Sequence, residues 1–395
     1  MQLSVFQYIS KYFSIFQCIS KYFNTFPFIS KTLFMKKLLV SLLFTFSFLM
    51  VFSQDYNIQY QKFDHLTRPE VRNPIQIPNI QGYITMKCDF HMHTYFSDGE
   101  VTPSMRIKEA WSEGLDAIAI TEHNKIKDDQ SNADLNKSYF LAKRKADETG
   151  LLLIRAIEYT DKNEVGHMNF LFIDDANQYA RQKIEPEAAV ELAASKGAFV
   201  IYNHPGWPDK NSDLSDFQKK FIAQKKIGAI EVFNEMEFYP QTIDFCLDNQ
   251  LAPVGCSDVH PAIGYQYDLN VVKRPMTLVF AKEATLDGIK EALLAGRSLA
   301  YSNNLLAGKA EYIIAVFDQS LKVQKITEIK EETVFNVTNT SDITFILSAD
   351  GEDMVFPGGK VTQIRVKKAD FSKTYSMKNG FCGAKKYASV SLPLK

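Results

Sequence analysis

Between Tyr83 and about Lys309 the chain keeps repeating one pattern. A short apolar run is followed by a stretch with apolar residues at helical spacing, and then by another apolar run. The runs are YITMKCDF, LDAIAIT, LLLIRAIEYT, HMNFLFI, AFVIYN, GAIEVFN and LAPVGCSD. Segments of about 10 to 14 residues, such as PSMRIKEAWSEG, SYFLAKRKADETG and EPEAAVELAASKG, separate several of them, and LDGIKEALLAGR follows late. Thr102 as N-cap, Pro103 in the first turn and Gly114 as a stop punctuate the first of these helices. Apolar runs alternating with helices predict an α/β fold with a parallel sheet. Most of the runs end in residues able to do chemistry. In a (β/α) barrel such groups gather at the C-terminal ends of the strands, so a barrel is expected rather than an open doubly wound sheet.

The flanking regions read differently. Residues 54–82 are polar, contain Pro69, Pro74 and Pro78, and read as a surface arm. After Lys309, VFNVTNTSDITFILS, GGKVTQIRVK and YASVSLPLK alternate and are rich in Thr, Val and Ile, which predicts a small all-β domain over 310–395, of sandwich type. Before the arm, MKKLLVSLLFTFSFLMVFSQ carries two lysines, an apolar run and small residues Val51 and Ser53 ahead of Gln54. Residues 35–53 therefore read as a secretory signal peptide, too short in its apolar run for a span of about 20 residues. Export, to the periplasm or outside the cell, is the expectation, with no stable membrane span after cleavage. Residues 1–34 repeat SVFQYISKYF, SIFQCISKYF and NTFPFISKTLF; they read as translated repeats upstream of a true start at Met35, with an amphipathic membrane-binding repeat as the alternative.

The charge balance, 45 basic against 46 acidic residues, gives no long-range attraction for a nucleic-acid duplex. At 46% hydrophobic and 23% charged, the composition supports an ordinary globular core. Four cysteines remain after residue 53, Cys88, Cys246, Cys256 and Cys382. They are too few for a disulfide framework. Strict strand alternation puts Cys256 on the face of Asp258 and Cys88 on the face opposite His91, so buried, reduced thiols are expected.

The seven histidines are His65, His91, His93, His123, His167, His204 and His260, and all but the first fall in the alternating region. The six end a run or sit beside one, except that His167 begins its run. Acids accompany them: Asp98, Glu122, Glu158 and Asp258. His91 and His93 are two residues apart, as are Asp258 and His260, so each pair points one way from an extended chain. Neutral imidazole offers a nitrogen lone pair and carboxylate offers hard oxygen. Six imidazoles and three carboxylates at one mouth exceed a single tetrahedral site. They suit two or three divalent ions with a bridging carboxylate.

The pieces DFHMHTYFSDG, AIAITEHN, AIEYT, GHMNF, YNHPGW and GCSDVHP, in that order over roughly residues 83–300, resemble the polymerase and histidinol phosphatase (PHP) family of metal-dependent phosphoesterases. The resemblance implies a distorted (β/α)7, TIM-like barrel over 83–309. It implies that His91, His93, Glu158 and Asp258 hold a first ion. Glu158 would bridge to a second ion held with His204 and His167, and Asp98, His123 and His260 would hold a third. Asp98, in place of a histidine, points to the SDG-bearing branch. Zinc, manganese and iron all suit these donors.

The reaction so implied is hydrolysis of a small-molecule phosphate ester, monoester or diester, by a metal-activated hydroxide. Asp258, His260 and Glu158 are the expected catalytic residues, with His260 or Asp258 passing a proton to the leaving alkoxide. Arg155, Lys125 and Arg297 are the cations considered for gripping phosphate. Trp207 and Pro208 are expected to form a loop wall, and Asn234 and Glu235 to reach the same mouth. Two other readings stand beside this one: hydrolysis of a C–N or C–O bond in the amidohydrolase style, and a non-catalytic metal-binding protein. The bridging place of Glu158, where an amidohydrolase often uses a carboxylated lysine, favours phosphate.

Overall fold

The computed structural model describes residues 60, 62, 63, 66, 69–125, 134–161 and 165–394. The repeats of residues 1–34, the expected signal peptide 35–53 and the first part of the expected arm lie largely outside the described residues. Glu70–Lys395 forms one compact unit, with which everything below is concerned.

Its first half runs β1 (Ile84–Asp89), α1 (Pro103–Ser112), β2 (Ala117–Ile120), α2 (Lys137–Thr149), β3 (Leu152–Thr160), β4 (His167–Leu171), α3 (Pro186–Ser195) and β5 (Phe199–Tyr202). It continues with α4 (Asp216–Ala223), β6 (Ala229–Asn234), β7 (Glu237–Phe238), α5 (Pro240–Asn249), β8 (Ala252–Cys256) and α6 (Ile263–Gln266). Then come β9 (Met276–Ala281), α7 (Leu286–Leu294), β10 (Ser298–Ser302) and β11 (Leu305–Gly308). The C-terminal part holds α8 (Ala310–Ser320), β12 (Leu321–Ile329), β13 (Glu332–Asn339), β14 (Phe345–Ala349), β15 (Glu352–Phe356), β16 (Val361–Lys367), β17 (Thr374–Phe381) and β18 (Tyr387–Ser391). The caps follow the sequence: the Thr102 hydroxyl accepts from Met105 N at 3.2 Å, with Pro103 in the first turn of α1.

The sheet is mixed, where a parallel one is expected from the alternation. β1, β2 and β3 run parallel, as do β5, β6 and β8. β4 is antiparallel to both β3 and β5, and β9 is antiparallel to both β1 and β10. The reason is visible in the spacing. Only residues 161–166 separate β3 from β4, and a parallel return needs about a dozen residues or more.

β8 lies against β9 and β10 without joining their ladders among the described residues. Thr277 Oγ1 accepts from Gly255 N at 3.1 Å and donates to Gly255 O at 2.9 Å, and Ser298 Oγ donates to Pro253 O at 2.9 Å. Gly255 permits this approach: a Cβ there would stand 2.8 Å from Met276 O and 3.0 Å from Tyr301 O, both backbone atoms. Met86, Ala119, Ile154, Phe199, Ile201 and Val254 form one buried apolar cluster together with Ile289 and Leu293 of α7.

The C-terminal region does not stand apart. Residues 310–320, expected to open the β region, are helical, and Ile313, Val316 and Phe317 of α8 share one apolar cluster with Leu299, Phe345 and Phe356. β17 pairs in parallel with β11, so β14, β15, β17 and β18 extend the main sheet, while β12, β13 and β16 form a second, three-stranded sheet. The four described cysteines are buried and unpaired. Cys88 and Cys256 nevertheless belong to the same apolar cluster, although His91 meets Asp258. Strict alternation therefore fails between Cys88 and His91, where regular strand ends at Asp89.

Gly255→Ala is expected to lower stability by about 1–3 kcal/mol, because backbone rather than a mobile side chain blocks the methyl group. Thermal and denaturant unfolding would check this; a wild-type midpoint would show that β8 can move away from its neighbours.

Candidate metal centre

The histidine pairs sit on two extended segments joined by a single parallel bridge, Met92 to Val259. Met92 and Val259 point into the apolar core, so the residues on either side of each, His91 with His93 and Asp258 with His260, face the other way together. A second bridge, His123 to Glu158, brings in β3. Gly99 of the SDG turn lets the chain fold back on the first pair, since a Cβ there would meet the His93–Thr94 backbone at 2.7 Å. Asp258, His204 and Glu235 all have positive φ, at 49°, 23° and 47°. Such conformations cost energy and persist where the surroundings over-determine them.

Glu158 is the hub. It is fully buried on β3. Its Oε1 lies 3.1 Å from His167 Nδ1, 3.3 Å from His91 Nε2 and 3.5 Å from His204 Nε2. Its Oε2 lies 2.6 Å from His123 Nδ1 and 3.7 Å from His93 Nε2. Asp258 Oδ1 is 3.1 Å from His91 Nε2 and 3.0 Å from His93 Nε2. Asp98, half exposed, faces His123 Nε2 at 3.0 Å, His260 Nε2 at 3.3 Å and His93 Nδ1 at 3.5 Å.

Four buried atoms test whether cations fit. His91 Nε2, His93 Nε2, Glu158 Oε2 and Asp258 Oδ1 converge without a well-aligned hydrogen bond. An imidazole lone pair and a carboxylate oxygen repel each other unless a proton or a cation lies between them. These four are the donors expected for a first ion. Three overlapping groups have the spacing to hold metal: His91, His93 and Asp258; His91, Glu158 and His204; and His93, Asp98, His123 and His260. His93 thus joins the outer group as well as the inner one. His167 falls in none of the three, although it touches Glu158.

Burial depresses the His93 pKa to about 4, so this ring stays neutral, the form that ligates. Burial also opposes charge on His123, but Glu158 and Asp98 outweigh it and push that ring up to about 10. Burial raises Glu158 and Asp258, yet His91 and its neighbours outweigh this and hold both well below the usual carboxylate range. Bound divalent cations would take the place of these protons.

Sequence spacing passes over the residues that aim the ligands. Glu231 of β6 is fully buried; its Oε1 lies 2.9 Å from His91 Nδ1, and its Oε2 accepts from His204 N at 2.6 Å and from Asn234 Nδ2 at 2.8 Å. With the His91 Nδ1–H donated to the Glu231 carboxylate, Nε2 presents its lone pair to the centre. The available signal was a charged residue inside the apolar run GAIEVFN, where carboxylates are rarely buried without a partner. Asn203 Nδ2 donates to Glu158 Oε1 at 3.0 Å and to Asn169 Oδ1 at 2.9 Å. Glu122 accepts from the Thr94 and Ser97 hydroxyls and so braces the loop after His93.

The centre opens into a cavity of about 310 Å³, lined by the ligands other than His91 and His93 and by Trp207, Asn234, Glu235 and Glu237. Arg155, Lys125 and Arg297 are not on its wall. Arg155 alternates with Glu158's face and stacks its guanidinium 4.3 Å from the Tyr139 ring on α2. Arg297 stands just before β10, at the opposite end of the sheet, and bonds Phe280 O and Glu291. Lys125 is exposed.

Glu158→Gln is expected to lower the number of ions bound per chain by more than one, because its two oxygens face histidines of all three groups. Elemental analysis after metal loading would read this, and loss of one ion or none would contradict the bridging role.

Residues 89–285 match the PHP domain family. The crystal structure of a two-domain protein containing a predicted PHP-like metal-dependent phosphoesterase, from Bacteroides vulgatus, is 32% identical. Its TM-score is 0.78, and the match covers 83% of this chain and 100% of that one. A candidate metal-dependent phosphoesterase from Bifidobacterium adolescentis and an amidohydrolase from Chromobacterium violaceum, with bound sulfate and no metal, are 18% and 15% identical. Each covers 45% of this chain at a TM-score of 0.35, too low to carry an argument. A search of curated proteins finds no match. Motif order, the converging ligands and the likeness over 83% of the chain agree: the chain belongs to the PHP family.

Proposed function

We propose that this protein is an exported phosphoric ester hydrolase whose chemistry depends on two or three divalent ions, zinc, manganese or iron, at the Glu158 cluster. The observation that carries the reading is the convergence of His91 Nε2, His93 Nε2, Glu158 Oε2 and Asp258 Oδ1, buried and without well-aligned hydrogen bonds. The strands over 83–309 are read as a distorted (β/α)7 barrel, with β8 closing against β9 and β10, and 310–395 as its β-rich companion. Among the described residues no helix is long and apolar enough to cross a membrane.

When bound, the ions would make water acidic enough to supply a nucleophile near neutral pH and would neutralise charge on the phosphoryl oxygens. The chain's own groups divide the remaining work. His91, His93, Glu158 and Asp258 would hold the first ion, Glu158 would bridge to a second held with His204 and His167, and Asp98, His123 and His260 would hold the third. With the third site empty, His260 Nε2, at the half-open edge of the cavity, can hand a proton to the leaving oxygen; its Nδ1–H donates to Asp258 O at 2.7 Å, which fixes the ring. Trp207 walls one side, 5.2 Å from the His167 ring and 5.5 Å from the His204 ring. A small-molecule ester fits this space, which is near the lower end for ligand cavities.

A second reading, hydrolysis of a C–N or C–O bond, is favoured by one feature. The described lining of the cavity holds Asp98, Glu235 and Glu237 but no Lys or Arg to grip a phosphate.

Residues 54–395, loaded with metal, are expected to release phosphate from p-nitrophenyl phosphate or bis-p-nitrophenyl phosphate, and His93→Ala to abolish that release. The ratio of the two substrates separates monoesterase from diesterase. A fully loaded protein inert toward both, yet active on an amide or lactone panel, would overturn the phosphoesterase reading.

A further inference from the structure

Behind the ligands lie two fully or almost fully buried arginines that no step above uses. Arg274, 3% exposed, sits just before β9. Its Nη2 donates to the Asp89 carboxylate and, at 2.8 Å, to Ser257 Oγ, while its Nη1 donates to Glu113 Oε2 at 2.8 Å. Asp89 in turn binds both ligand segments. Its Oδ1 accepts from His91 N and from Ser257 N, each at 3.2 Å, and its Oδ2 accepts from Ser257 Oγ at 2.5 Å. Arg106, with no exposed surface, spans the same two segments one residue pair further on. Its Nη2 donates to His93 O at 2.9 Å, His260 O at 3.0 Å and Val259 O at 3.3 Å, and its Nη1 to Glu109 Oε2 at 2.8 Å. Glu109 Oε1 accepts from Ile263 N at 3.1 Å, which holds the loop beyond His260.

We propose that Arg274 with Asp89 and Ser257, and Arg106 with Glu109, form a two-part clamp that sets the spacing between the His91/His93 segment and the Asp258/His260 segment, and thereby sets metal affinity. Arg106, Asp89, Ser257 and Arg274 are positioning residues; none is placed on the cavity wall.

Three observations support this over a purely stabilising role. Asp89 and Arg106, at the inner ends of the clamp, engage backbone atoms of the ligands themselves or of their immediate neighbours. It stands where regular strand gives out: the Asp89 carboxylate takes up the His91 N–H just after β1 ends, and Asp258, next to Ser257, has φ +49°. A segment freed from its ladder needs another device to fix its direction. Finally, buried ion pairs are poor stabilisers, since apolar groups of the same volume often serve as well. A network of this extent buried behind one site is better explained by the direction it gives to the ligands.

The proposal rests on the cluster being a metal centre, and the test separates the two claims. Zinc would be titrated into chelator-stripped wild type, Ser257→Ala, Arg274→Lys and Arg106→Lys against a competing chelator, with unfolding of each apoprotein recorded beside it. Ser257→Ala is the mild variant, because it leaves no buried charge unpaired and carries the test if either lysine variant fails to fold. The expected result is an apoprotein that unfolds within a few degrees of wild type but binds its tightest zinc roughly 10–100-fold more weakly, the usual loss when groups that orient ligands are removed. Wild-type zinc affinity in Ser257→Ala, with or without a lowered unfolding temperature, would overturn the clamp. A wild-type protein that binds no zinc, manganese or iron would overturn both the clamp and the metal centre.

Discussion

A carboxylate with no solvent exposure sits at the middle of this protein, and much else in the structure follows from keeping it there. Stripping water from an ionised side chain costs several kcal/mol. Glu158 offsets that cost with imidazoles of His91, His93, His123, His167 and His204, all within 3.7 Å of its oxygens. The same crowding would be repulsive among neutral rings and bare carboxylates. It becomes attractive only when positive charge is shared through it, as protons or as divalent ions. The depressed His93 and the elevated His123 are two sides of one arrangement: a dry inner ring suited to ligation and an outer ring that touches solvent.

The fold meets the demand by ending strands at one place. Each bridge near the centre ties two ligand-bearing segments together, Met92 to Val259 beyond regular strand on both sides and His123, beyond β2, to Glu158 of β3. Left-handed backbone at His204, Glu235 and Asp258 then turns side chains inward that an ideal strand would carry past the mouth. Glu231, Asn203, Asp89 and the two buried arginines hold those turns. The C-terminal strands add to the same sheet, and their apolar cluster runs on continuously from α8 and β10.

Ligand identity was legible in the sequence because it depends on residue type at a spacing of two, and a spacing of two survives any error in placing strand ends. That holds for His91 with His93 and for Asp258 with His260; Asp98, His123, Glu158 and His204 stood out through the family resemblance, and the structure brings all eight together. His167 arrives by another route, at the start of the antiparallel β4, and it falls outside the three ligand groups. The gripping cations were not legible. A lone Arg155 or Arg297 carries no spacing signal, and its direction depends on alternation and on which end of the sheet it occupies. Arg106 and Arg274 escaped for the converse reason, since each reads as an ordinary surface charge on a helix or loop until the distant segments it joins are seen. The mixed sheet was foreshadowed by the short link from Thr160 to His167. That β17 would extend the main sheet was not, because alternation reveals a strand's two faces and not the edge it will join.

The central claim is that Glu158 bridges cations. Crystals of metal-loaded protein, with diffraction recorded on both sides of the absorption edge of the bound metal, would test it most directly. The account predicts at least two anomalous peaks on either side of the Glu158 carboxylate, one among His91, His93 and Asp258 and another toward His204. Strong peaks elsewhere, or a single peak that Glu158 does not contact, would contradict it.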